Sequence, residues 1–86
     1  MMNYREAERI LSRVMDKLKQ ERTRQGLSLK RLGALSGVDR TMIGKIEKGE
    51  RSPTLIVCLR VADALGVHLG DVLNCVPPAK KDGRRK

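Results

Sequence analysis

Aromatic side chains are almost missing from this chain: it has no Trp, no Phe and one Tyr, Tyr4. Its core must therefore be aliphatic, drawn from Leu, Ile, Val, Met and Ala. Histidine is nearly absent too. One His, His68, and two scattered cysteines, Cys58 and Cys75, cannot supply the ligand set of a structural zinc site, so no metal is expected. The same scarcity argues against catalysis. The single His has no Ser or Cys near it in a nucleophile arrangement, and there is no Gly-rich phosphate loop, so neither an enzyme nor a cofactor is expected. No apolar run approaches the ~20 residues of a membrane span. The N-terminus also lacks the continuous apolar stretch of a secretory leader. These absences predict a cytoplasmic protein with Cys58 and Cys75 as buried, reduced thiols; a disulfide across a dimer axis is the lesser alternative.

What the chain has in excess is positive charge. Nineteen Lys and Arg oppose 10 Asp and Glu, for a formal net charge of +9 over 86 residues. Lys80, Lys81, Arg84, Arg85 and Lys86 against Asp82 put four of those charges at the C-terminal end, and five remain in the body. A basic body favours a polyanionic partner, either nucleic acid or an anionic membrane surface. The length predicts one small domain with a modest core, for which oligomerisation is a useful source of stability.

Asn3, with Glu6 three residues on, has the form of a capping box. Ala7, Ile10, Leu11, Val14, Met15 and Leu18 then recur at steps of three and four, which predicts a long amphipathic helix ending near Gln25 with Gly26 as its stop. Its outer face mixes Arg5, Arg9, Arg13, Lys17 and Arg24 with Glu6, Glu8 and Asp16, as a solvated face with helical ion pairs does. Its apolar side is needed for the core, which argues against a membrane role. Ser28 is expected to cap a second helix to about Ser36, closed by Gly37. Asp39 is expected to cap a third from Arg40 to about Lys48, ended by Gly49. Thr54 caps a fourth, with Leu55, Cys58, Leu59, Val61, Ala62 and Leu65 as its inner face and Gly66 as its stop. His68 is expected to cap a short fifth helix with Leu69, Val72 and Leu73 as its apolar side. Pro77 and Pro78 close a predicted domain over 1–76. Residues 77–86 are expected to form a disordered basic tail able to add phosphate contacts.

The stretch 28–48 carries the functional argument. Leu32, Gly33, Val38, Ile43 and Ile46 are the apolar or small positions, and Gly37 lets the chain reverse between two short helices. With Val38, Ile43 and Ile46 turned inward, Arg40, Thr41, Gly44, Lys45 and Lys48 are left on the outer face of the third helix. A helix of that size fits the major groove of B-DNA.

From Leu18 to Leu73 the chain resembles the helix-turn-helix family that includes the Cro and lambda-type phage repressors and many bacterial regulators of the XRE type. The residues that carry the resemblance are Arg22, GLS at 26–28, SGV at 36–38, IGKIEKGERSPTL at 43–55 and ALGV at 64–67. The resemblance implies an all-α, compact five-helix lambda-repressor-like DNA-binding domain, here with a lengthened first helix, that binds operator DNA as a dimer. It places base contacts on Arg40, Thr41 and Lys45 and phosphate contacts on Ser28, Leu29, Lys48, Arg51 and Ser52. It makes Arg22 and Glu47 a structural clamp. Two positions depart from the family pattern. Leu29 stands where many members have Gln, so only its backbone N–H can hold a phosphate. Gly44 replaces a polar residue, so it reads no base through a side chain.

The function expected is sequence-specific binding of double-stranded DNA and transcriptional regulation, as a dimeric repressor. One recognition helix reads too few base pairs to single out an operator, so a homodimer on two half-sites is expected. Its interface is expected at Leu69, Val72, Leu73 and Val76, with Ile10, Leu11 and Met15 of the first helix as a rival surface. The alternative is a protein-interaction adaptor, or an antitoxin-type protein that binds a toxin or another regulator. Leu29 and Leu35, apolar where the family is often polar, favour that alternative.

Overall fold

Helix α1, Tyr4–Arg24, starts where the capping box closes: the Glu6 amide donates to Asn3 Oδ1 (2.8 Å), and the Asn3 amide donates to Glu6 Oε1 (2.9 Å). The computed structural model describes residues 1–76; the tail expected over 77–86 lies outside them. Four more helices follow: α2 Leu29–Ser36, α3 Arg40–Glu47, α4 Leu55–Leu65 and α5 Leu69–Asn74. The described residues contain no strand. Ser28, Asp39 and Thr54 each accept a hydrogen bond from the amide three residues on, at 3.0, 3.2 and 3.1 Å, which satisfies a donor the first helical turn cannot. Three of the four α-helix starts after α1 are thus set by one short polar side chain. The fourth differs. His68 makes no side-chain cap bond; its carbonyl alone takes the Asp71 and Val72 amides.

The core is aliphatic, as the shortage of aromatics requires. Val14, Met15 and Leu18 of α1, Leu32 of α2, Val38 of the turn, Ile43 and Ile46 of α3, Cys58, Val61, Ala62 and Leu65 of α4 and Leu69 of α5 form one cluster. Helix α1 packs against α3, α4 and α5, while α2 is held between α3 and α4. Gln25 bridges two ends. Its Nε2 donates to Leu65 O (2.8 Å), a last-turn carbonyl of α4, and to Glu21 Oε2 (2.7 Å). Hydrogen bonds from Arg24 and then Gln25 hold the Glu21 carboxyl at about 2.

Four expectations about burial need correction. Leu55 and Leu59 are exposed, at 53 % and 49 %. The inner stripe of α4 is Cys58, Val61, Ala62 and Leu65, at i, i+3, i+4 and i+7; Leu59 lies one residue off it, and Leu55 sits in the first turn, beyond the covered stretch. Met15 is 2 % exposed and so is no candidate for a rival dimer surface. Leu69 belongs to the protomer's own core and offers little to a partner. Of the two thiols only Cys58 is buried; Cys75 follows the last turn of α5 and is exposed. Burial pushes the Cys58 thiol up to about 11.

Candidate nucleic-acid interface

The turn that joins α2 to α3 depends on two glycines. Gly37 adopts φ +74°, and its amide donates to Gly33 O (2.9 Å) to close α2. Gly33 lies at the closest approach of the two helices. A Cβ there would meet Val38 O at 3.0 Å and the Arg40 Cβ at 3.3 Å, so any larger residue would push α3 away. Arg60 of α4 donates from Nη1 to Gly37 O (3.3 Å) and ties the turn to the body.

Helix α3 is oriented from its inner face. Ile43 and Ile46 are buried, Met42 is half-buried, and Arg40, Thr41 and Lys45 are exposed. The acidic residue of α3 is turned inward. Glu47 receives two hydrogen bonds from Arg22, Nε to Oε2 and Nη2 to Oε1, both 2.9 Å. Arg22 Nη1 also donates to Leu27 O (2.7 Å). The two side chains are 15 % and 6 % exposed, so the pair works in a largely desolvated place. It fixes α3 against α1 and removes the carboxylate from the outer face, which is left basic.

A shallow concavity opens on that face, lined by Leu29, Lys30, Arg40, Thr41, Gly44, Lys45, Lys48 and Glu50. It brings together the three expected base-reading residues with Leu29 and Lys48. Four cations there oppose one carboxylate. The amides of Leu29 and Lys30 precede the first intrahelical bond of α2, which Leu32 donates to Ser28 O (2.9 Å), so both are open to an anion. Lys30 also lines a neighbouring hollow with Gly33, Ala34, Gly37, Val38, Asp39 and Arg40. Spacing within α3 does not point to Lys30; its place one residue past Leu29, on the open side of the α2 start, is the signal that does.

Ser28, Arg51 and Ser52 lie outside that concavity. Ser28 caps α2 through its Oγ. Arg51 and Ser52 are exposed in the loop before α4. The Ser52 hydroxyl donates to Glu8 Oε2 (2.7 Å), so it already has an acceptor, and a carboxylate from α1 stands at the loop. Glu8 and Ser52 are 44 residues apart, and no local pattern links them. Among the described residues no group of three His, Cys, Asp or Glu could hold a metal ion, and no helix is long and apolar enough to cross a membrane.

Residues 18–72, a segment that spans α1 from Leu18 to the middle of α5, match the Helix-turn-helix family HTH_3. The chain is 41 % identical over 61 residues to the HTH-type transcriptional regulator SutR of Escherichia coli K12, covering 71 % of this chain and 33 % of that protein. It is 37 % identical over 57 residues to the uncharacterized HTH-type transcriptional regulator YgzD of Bacillus subtilis 168, covering 66 % and 86 %. An uncharacterized HTH-type transcriptional regulator of Haemophilus influenzae is 43 % identical over 51 residues, covering 59 % and 52 %. The chain thus spans a third of SutR's length and about half of the Haemophilus protein's. No solved structure matches it significantly. With the matched segment enclosing both the buried Arg22–Glu47 pair and the glycine turn that present α3, the chain belongs to the helix-turn-helix family.

Proposed function

We propose that the chain binds double-stranded DNA sequence-specifically, with α3 in the major groove, and regulates transcription as a repressor, two copies bound to an operator of two half-sites. One observation carries this reading: α3 is anchored by Ile43, Ile46 and Glu47 from within, while Arg40, Thr41 and Lys45 stand exposed on one face. Arg40 has the fork geometry for guanine O6 and N7, Lys45 can reach the same acceptors less specifically, and Thr41 offers either a methyl or a hydroxyl. Lys48, Arg51 and the open amides at Leu29 and Lys30 supply phosphate contacts that fix register. The relatives' names, all HTH-type transcriptional regulators, support the same function. Two copies are favoured because one short helix reads too few base pairs, and half-sites one helical turn apart restore the discrimination.

The test is selection of bound duplexes from a random DNA pool. A two-fold symmetric consensus is expected, with binding that falls steeply as salt rises. An enriched sequence without symmetry rejects the dimeric operator, and no enrichment rejects DNA reading altogether. A second reading, a protein-binding adaptor or antitoxin-type protein that keeps the fold, is favoured by one observation. Leu35, Leu55, Ile56 and Leu59 expose large apolar surface outside the α3 face. Leu29 does not add to it, since its side chain packs against the core. Weak salt dependence of the principal interaction would favour this second reading.

A further inference from the structure

Leu29 and Gly44, two residues of the basic face that offer no hydrogen-bonding side chain, stand side by side in one concavity, and the geometry points to their forming a subsite for the 5-methyl group of thymine. This rests on the DNA-binding reading above. A Cβ on Gly44 would lie 3.4 Å from Leu29 Cδ1, ordinary van der Waals contact, so the tip of Leu29 stands beside the bare backbone of α3. Leu29 is half-buried against the core and therefore held in place. Both residues line the concavity that also holds Lys30, Arg40, Thr41, Lys45 and Lys48. Its rim selects a polyanion; the Leu29–Gly44 corner selects something apolar carried by that polyanion. On the major-groove edge of a duplex the one apolar group is the thymine C5 methyl, where cytosine has only hydrogen. A phosphate or a polar base edge gains nothing from Leu29. Leucine at the start of α2 and the missing side chain in α3 thus act as a pair: Gly44 leaves the α3 backbone bare, and the tip of Leu29 beside it supplies an apolar wall.

The duplex enriched from the random pool by the intact chain serves as the probe, each thymine replaced singly by deoxyuridine, which removes the methyl and nothing else. At one thymine per engaged copy of the corner, binding should weaken about fourfold, the factor that burial of one methylene-sized group commands. Gly44→Ala places its own methyl in the space and should bind the thymine and uracil duplexes equally. Alanine is the better helix former, so the fold is not at risk. Whatever Thr41→Ser costs in overall affinity by losing the other methyl of this face, the fourfold gap at that thymine should remain. Indifference to deoxyuridine at every position overturns the subsite while leaving DNA binding intact. If no deoxyuridine gap is removed by Gly44→Ala, or if the one it removes is also lost in Thr41→Ser, the subsite is overturned. Failure to enrich any duplex overturns the DNA reading and the subsite together.

Discussion

Arg40 and Lys48 lie at opposite ends of α3, and on the proposed DNA-binding reading their chemistry separates two components of binding. Arg40 is exposed at the first position of α3, the end that on the proposed reading approaches base edges. Arg40→Ala should lose roughly 1–3 kcal/mol of discrimination, the worth of one bidentate base contact, and leave non-specific binding nearly intact. Competition between the selected duplex and a scrambled one measures this; an equal loss on both makes Arg40 a phosphate contact. Lys48 caps the other end, and Lys48→Ala should weaken all sequences alike and flatten the log–log salt slope by about one. At this scale the outer residues of α3 were legible because Ile43 and Ile46 fix which way the helix faces. Lys30 and Glu8 were not, because their places depend on α2 and α1 meeting α3 and its loop in space.

Elements are held to one another here by a few long-range polar bonds, and these can be separated from DNA contacts. Removing Glu47 leaves Arg22 charged, largely buried and bonded only to Leu27 O. Glu47→Ala should lower unfolding stability by ~3 kcal/mol, the low end for breaking a buried pair. Sequence preference of the folded fraction should not change. Denaturant melts read the first, and the competition assay the second; a preference that shifts with the melt unchanged makes Glu47 part of DNA reading. The Glu8–Ser52 bond works the other way. It occupies a hydroxyl on the loop that carries Arg51 and adds a negative charge there. Glu8→Gln should therefore tighten DNA binding by up to roughly fivefold at low salt, the scale of one exposed charge, and the gain should fade as salt rises. No gain at low salt means that this loop does not approach phosphate. Helix starts were legible from Asn3, Ser28, Asp39 and Thr54 because a cap is a local bond over three residues. His68 does stand at the N-cap of α5, but its ring makes no bond to the helix amides, and only its backbone carbonyl serves the first turn.

For the whole molecule, periodicity identified most of the core but not its edges. A stripe of apolar residues marks the inner side of α4, yet which turns are covered depends on where α1, α2 and α5 end, and so Leu55 and Leu59 emerge exposed. The same dependence on helix ends separates the thiols. Cys75 should react with a maleimide in the folded protein, whereas Cys58 should react only on unfolding. The Cys58 thiol titrates near 9.0 when unfolded and at about 11 when folded, so its contribution to stability is lost as pH rises across that window. Fast labelling of both thiols at neutral pH would show that α4 opens in the native state. Dimerisation is decided at this scale too. In α5, Leu69 serves the protomer's own core, Val72 is half-buried and Leu73 is 39 % exposed, while Val76, just past the helix, is half-buried. If two copies meet through α5, Leu73→Glu places like charges beside the two-fold axis and costs the single chain little, because the side chain already faces solvent. Light scattering should then report a monomer whose helicity matches the parent's and whose operator affinity has dropped steeply, since each half-site is bound alone. A mass that stays at two chains moves the interface away from α5, and the exposed Leu55, Ile56 and Leu59 of α4 become the surface that must account for it.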